Sequence, residues 1–161
     1  MGCGTGRNLL DLLKEDCETF AVDSDLDAVS TGRELLRGLT SEVIFFATAR
    51  MESLPFPDEL FEAVHCLDVL HWASHREEFQ AMWRDAWRVL RSGGVFVVRL
   101  RCASQSAPVN PFGAPWFLAD RILIEAMTEE GRGEWVEPYQ TLLLPDSSES
   151  ASFVLRKQNR G

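Results

Sequence analysis

The residues best equipped for chemistry open the chain. Gly2, Gly4 and Gly6 alternate in the run MGCGTGRNLL. Glycines so spaced let the backbone take positive φ and bring its N–H groups close under a ligand. The spacing G-x-G-x-G differs by one residue from the dinucleotide fingerprint G-x-G-x-x-G, so on its own it specifies only a tight turn. Asp23 closes the apolar run Phe20-Ala21-Val22. At a strand end, a carboxylate can accept both hydroxyl hydrogens of a ribose. It can equally cap a helix, a task open to Asp25 as well. Of the three histidines, His71 lies just past an apolar strand and is the best-placed candidate base. Packing beneath a loop accounts for it as readily. His65 falls inside the strand, and His75 precedes a helix.

These residues need elements to hold them. Leu9, Leu10, Leu12 and Leu13 predict a short helix over Arg7–Lys14, starting at the glycine turn. Glu18–Val22 reads as a strand. Ser24 or Asp25 then caps a helix whose apolar face is Val29, Leu35 and Leu36 with Leu26. Glu42–Phe46 reads as a second strand and Phe61–Leu67 as a third, with a proline-broken loop through Leu54-Pro55-Phe56-Pro57-Asp58 between them. Glu77–Leu90 is an amphipathic helix that Gly93-Gly94 ends, launching a strand over Val95–Leu100. The alternation predicts an open, mostly parallel sheet. Beyond it, Ala103–Pro115 is a Ser/Pro/Gly-rich loop and Trp116–Thr128 a helix. Val136–Leu144 and Ala151–Lys157 form an antiparallel hairpin about Pro145–Glu149.

Composition narrows the function. The chain has 161 residues, 45% hydrophobic and 25% charged, which is one soluble domain's worth. A net charge of −9 removes the electrostatic footprint of a nucleic-acid binder and argues against docking on an anionic membrane. No apolar run is long enough to span a bilayer, and no signal peptide is evident. Cys3, Cys17, Cys66 and Cys102 have no paired spacing, so reduced thiols in a cytoplasm are expected, with no metal site.

Four linked runs carry a family resemblance: MGCGTGRNLLDLL, FAVDSDLDAV, MESLPFPDELFEAVHCLDVLHW and AWRVLRSGGVFVV. In this order and spacing, from Met1 to about Leu100, the chain resembles the class I S-adenosylmethionine-dependent methyltransferases, in their small-molecule branch known as type 11. The resemblance implies an α/β fold: a Rossmann-like sheet, helices on both faces and a carboxyl-terminal antiparallel hairpin. It also implies S-adenosyl-L-methionine as cofactor and a small molecule as methyl acceptor. By the same resemblance, Gly2, Gly4 and Gly6 lie under the methionine part and Asp23 holds the ribose hydroxyls, with Ser24 alongside. Met51 packs against the adenine, and the Leu67 carbonyl meets the methionine amino group. Without the family frame, Met51 and Leu67 read as core residues. Trp72, Phe112, Trp116 and Phe117 are candidates to wall the acceptor pocket.

The chain departs from the family pattern twice. Arg50 stands where the family commonly places an aspartate that accepts from the adenine amino group, and arginine only donates. Glu52 is near enough in sequence to substitute. The acidic residue expected before the first glycine would precede Met1. Residues 1–161 therefore read as a single methyltransferase domain truncated at its amino end, with the first, central strand missing and a gap between that strand's two neighbours, Glu18–Val22 and Ala63–Leu67. Two functions follow: a methyltransferase, or a non-catalytic remnant that keeps the fold and binds a partner. A nicotinamide-dependent oxidoreductase requires the other glycine spacing and leaves LPFPDELFEAV unexplained.

Overall fold

The computed structural model describes residues 1–12, 17–37, 44–102, 116–145 and 148–159. In chain order it contains α1 (Leu9–Leu12), β1 (Thr19–Asp23), α2 (Leu26–Arg37), β2 (Ile44–Thr48), β3 (Phe61–Leu67), α3 (Arg76–Val89), β4 (Leu90–Cys102), α4 (Arg121–Glu130), β5 (Gly133–Leu143) and β6 (Glu149–Lys157). The alternation of strands and helices is the one the apolar periodicity predicts. The chain is a mixed α/β, Rossmann-like fold.

Among the described residues the strands form two sheets. One is the parallel pair β1–β2, and the other has the order β3-β4-β6-β5. β3 and β4 run parallel, while β6 lies antiparallel to both β4 and β5. The carboxyl-terminal hairpin thus supplies an edge of the sheet, as the sequence predicts. β1 and β3 are not paired with each other, which is the expected gap.

One core ties the two sheets together. Val22 of β1 packs in the same buried cluster as Val64 and Cys66 of β3, Phe79 and Trp83 of α3, and Phe96 and Val98 of β4. At the other end, Phe20 meets the Phe61 ring at 5.4 Å and the Phe56 ring at 5.8 Å, bridging β1 to β3. The loop before β3 is fastened to α3. The Asp85 carboxylate accepts from the Leu54 N–H at 2.6 Å, and Arg88 donates to the Phe56 carbonyl at 2.7 Å and to Asp58 at 2.9 Å.

Helix ends follow local chemistry. Asp25, not Ser24, caps α2, its Oδ1 accepting from the Asp27 and Ala28 N–H groups. His75 caps α3 through Nδ1, which accepts from the Glu78 N–H at 3.2 Å. Asp120 caps α4 by accepting from Leu123. That cap moves the helix expected over Trp116–Thr128 to Arg121–Glu130, because an N-cap residue keeps extended backbone. Ala119, just before it, bridges to Cys102.

The Gly93-Gly94 pair also acts differently from its expectation. α3 already ends at Val89, and β4 runs straight on from Leu90. The glycines sit where the pairing jumps from Phe61↔Leu90 to Ala63↔Val95, a bulge that Gly93 enters with φ 78°. The loop expected over Ala103–Pro115, including Phe112, lies outside the described residues. No helix among the described residues is long and apolar enough to cross a membrane.

Candidate functional site

The glycine turn sits across the carboxyl ends of two strands. The Cys3 N–H donates to the Val22 carbonyl of β1 at 3.0 Å, and the Met1 amine donates to the His65 carbonyl of β3 at 2.7 Å. Gly2, Gly4 and Gly6 all have positive φ, at 63°, 50° and 91°. They serve different ends. A Cβ on Gly2 would lie 2.4 Å from Val69 Cγ2, so this glycine lets the turn pack on the segment after β3. A Cβ on Gly4 would meet nothing within 4 Å. Open space stands above Gly4, as a backbone cradle for a ligand requires.

Asp23 is wired into this turn. Its Oδ2 accepts from the Gly4 N–H at 2.7 Å and its Oδ1 from the Asp25 N–H at 3.0 Å. A carboxylate has about four lone-pair sites, so each oxygen keeps capacity for one further donor such as a hydroxyl. Ser24 follows at the surface. Met51 is buried in the main core beside the β2 end, and Leu67 is half-buried at the end of β3. The structure therefore gathers the glycine turn, Asp23 and Leu67 at the strand ends that flank the turn.

Arg50 is exposed and carries ion pairs with Glu52 and, at 3.1 Å, with Glu78. The hydrogen bond to Glu52, then its charge, raises the guanidinium's affinity for its proton. The Glu52 carboxylate considered as a replacement acceptor is thus engaged by Arg50. Glu78 in turn accepts from the Ser74 hydroxyl and N–H, which holds its carboxyl below the usual range.

His71 is not arranged as a base. It is 3% exposed, and its Nδ1 accepts from the Arg101 N–H at 3.1 Å. With that lone pair engaged, the neutral ring carries its proton on Nε2 and can only donate there. Burial, with a smaller contribution from Arg101 and against the pull of Asp68, pushes its pKa down to about 4. The backbone of β4 thus occupies the nitrogen through which the neutral ring would accept a proton. Trp116 meets His71 edge-on at 4.9 Å and Trp72 at 5.9 Å, with the Arg101 guanidinium 5.1 Å from its ring. Its indole Nε1 is buried without a hydrogen-bond partner among the described residues. Phe117 instead packs on Phe79 at 5.5 Å.

Three contributors escaped the sequence reading. Gly32 is buried inside α2, where a Cβ would come within 3.2–3.3 Å of the Thr5 and Gly4 backbone, so the helix can press against the turn. A glycine interrupting a helical pattern was the available signal. Val69 fills the space beneath Gly2. Asp68, at φ 62°, takes a multiple hydrogen bond from Arg99 at 2.5–3.0 Å, fixing the chain as it leaves β3. Among the described residues there is no group of three or more His, Cys, Asp or Glu side chains placed to hold a metal.

A family model described as a methyltransferase domain matches residues 1–98. An uncharacterized methyltransferase of Bacillus subtilis, YcgJ, is 28% identical over 111 residues, which are 69% of this chain and 41% of that protein. The aligned part thus spans under half of that relative. Among solved structures, a SAM-dependent methyltransferase of Methanosarcina mazei superposes with a TM-score of 0.83 at 15% identity, over 99% of this chain and 91% of that one. A Burkholderia thailandensis 1,6-didemethyltoxoflavin-N1-methyltransferase, solved with that small molecule and S-adenosylhomocysteine bound, gives 0.80 at 16% identity, over 98% and 69%.

Proposed function

The chain belongs to the methyltransferase domain family matched over residues 1–98, and on that premise we propose that it transfers a methyl group from S-adenosylmethionine to a small organic acceptor. One observation carries the reading. Space is open above Gly4 while the Gly4 N–H is held by Asp23, so cradle and ribose acceptor form a single unit. The residues fit the cofactor. Gly2–Gly6 would lie beneath its methionine part, Asp23 and Ser24 beside the ribose, Met51 by the adenine, and the Leu67 carbonyl would receive the amino group. When bound, the cofactor supplies an electrophilic methyl on a sulfonium.

The chain's own residues position and exclude rather than exchange protons. His71 keeps its proton on Nε2 and holds the Arg101 backbone, so it takes no proton from an acceptor. Displacement at a methyl group needs in-line placement above all. An acceptor that arrives as a neutral amine or an already ionised thiolate or phenolate needs no base for the transfer, its remaining proton, if any, passing to solvent afterwards. Trp72 and Trp116 offer an apolar wall, and the Trp116 Nε1 offers a buried donor to an acceptor molecule. The acidic surface suits a soluble cytoplasmic protein acting on a small molecule, not on nucleic acid.

Titration calorimetry with S-adenosylhomocysteine, followed by methyl-transfer assays on a panel of small amines, phenols and thiols, tests this. Saturable binding and a methylated product are expected. Binding without any product would leave the alternative of a non-catalytic, partner-binding remnant, and no binding by a well-folded chain would overturn the cofactor assignment.

A further inference from the structure

A cleft of about 770 Å³ lies at the other end of the sheet from the glycine turn, where α3 gives way to β4, β6 ends and α4 turns into β5. β4 begins there at Leu90, opposite Phe61 at the start of β3, whereas the glycine turn crosses the carboxyl end of β3. The floor of the cleft is apolar, made by the buried side chains of Trp83, Trp87 and Met127.

The rim is charged and nearly balanced. Arg84 is paired with Glu130 at 2.9 Å, Arg88 with Asp58 at 2.9 Å and Lys157 with Glu59 at 3.6 Å. Arg132 is the cation left over, and its guanidinium has no ion pair or hydrogen bond among the described residues. Its backbone is nonetheless fixed. Arg132 takes φ 54°, its carbonyl accepts from the Gln158 N–H at 3.1 Å, and the neighbouring Gly131 carbonyl accepts from Trp87 Nε1 at 2.9 Å. A Cβ on Gly131 or Gly133 would lie 2.8 Å from Trp87 Nε1 or Thr128 Cγ2, so the glycines let this turn press against the floor. An arginine is thus mounted, unpaired, on a braced turn at the mouth of an apolar cleft.

Trp83 supplies a second unmet group. It lines the cleft at 1% exposure, and its indole Nε1 is buried without a hydrogen-bond partner among the described residues. Such donors are rare in folded proteins, because nothing offsets the loss of their water. We infer that the cleft binds a small aromatic carboxylate, at a site separate from the one proposed for methyl transfer. Aromatic surface meets the two tryptophans and Met127. The carboxylate pairs with the guanidinium fork of Arg132, which matches its two oxygens, and the ligand's oxygens supply the acceptor that Trp83 Nε1 lacks. The three rim carboxylates repel a second negative charge, so a monoanion is selected over phosphate. Nothing in the inference depends on what the chain catalyses.

Titration calorimetry at neutral pH with 2-naphthoate, benzoate, 2-naphthamide and inorganic phosphate tests it. 2-Naphthoate should bind saturably, about tenfold or more tighter than the uncharged 2-naphthamide. Arg132→Gln should weaken it by a similar factor. Arg37→Gln, which removes the same charge from the exposed end of α2, should not. In the unaltered chain, the Trp83 indole N–H resonance should move downfield as 2-naphthoate is added. Saturating S-adenosylhomocysteine should leave the affinity unchanged. Failure of both 2-naphthoate and benzoate to saturate at millimolar concentration overturns the site. An equal loss with Arg37→Gln, competitive displacement by S-adenosylhomocysteine, or a stationary Trp83 resonance does the same. Equal affinity for 2-naphthamide, or tighter binding of phosphate, overturns the ligand class.

Discussion

The carboxylate of Asp23 grips the backbone of Gly4 at 2.7 Å while its other oxygen holds Asp25 at 3.0 Å. One side chain therefore sets the glycine turn, the start of α2 and the proposed ribose contact together. Asp23→Asn puts an amide donor against one of these N–H groups. Loss of a hydrogen bond to a charged group costs ~1.5–3 kcal/mol, so affinity for S-adenosylhomocysteine should fall about tenfold or more. Calorimetry showing equal affinities would remove Asp23 from the site.

Gly2 and Gly4 should separate stability from binding. Gly2→Ala drives a methyl into Val69 and also strains a positive φ, so it should cost more than about 2 kcal/mol in urea unfolding. Adding Val69→Ala should return part of that loss. Gly4→Ala has room, and its stability cost should be only about 1–2 kcal/mol from the backbone. Its methyl enters the cradle, so ligand affinity should drop further than stability does. The reverse ordering would mean that the open space above Gly4 is not the binding site.

His71 makes stability depend on pH. Its folded pKa of about 4 lies below the ordinary 6.5, so the unfolded chain binds the extra proton first as pH falls. The stabilisation is present above about pH 6.5 and is lost on descending to about 4, up to about 3 kcal/mol. His71→Asn keeps an acceptor for the Arg101 N–H but cannot titrate. Between pH 7 and 4, its unfolding free energy should fall less steeply than that of the parent chain. Parallel slopes would show that His71 is solvated rather than buried.

Asp85 anchors the loop that delivers Met51 and leads into β3. Asp85→Ala orphans the Leu54 N–H and leaves Arg88 without its nearest carboxylate, 2.7 Å away. Each unsatisfied group costs ~1–3 kcal/mol, and the change should appear in the urea midpoint. A loss below about 0.5 kcal/mol would mean that the loop is held by its apolar residues alone.

Much of this was legible in the sequence because it depends on local pattern. Leucine spacing gave α1, the Asp23 end of β1 followed an apolar run, and the LPFPDELFEAV segment marked the loop and β3. What stayed hidden depends on contacts between distant residues. Nothing local says that Arg101, thirty positions on, would take the His71 acceptor nitrogen, or that Arg50 would pair with Glu78. Gly93-Gly94 looked like a helix stop because glycine's freedom serves a cap and a bulge equally. Only the register against β3 distinguishes them.

The strand order carries a consequence for how the molecule is made. β6, the last strand in sequence, lies between β4 and β5, and its Lys157 reaches back to donate to the Trp87 and Leu90 carbonyls where α3 gives way to β4. A ribosome delivers β4, ending at Cys102, well before β6, which starts at Glu149, while β5 emerges directly ahead of its hairpin partner β6. The earlier strands must wait with open edges, and β4 and β5 must not pair prematurely. Closure of the four-stranded sheet is thus set by the emergence of Glu149–Lys157, and contacts this far apart in sequence are slow to form. During synthesis, the open edge of β4 stays exposed to aggregation until Glu149–Lys157 has emerged.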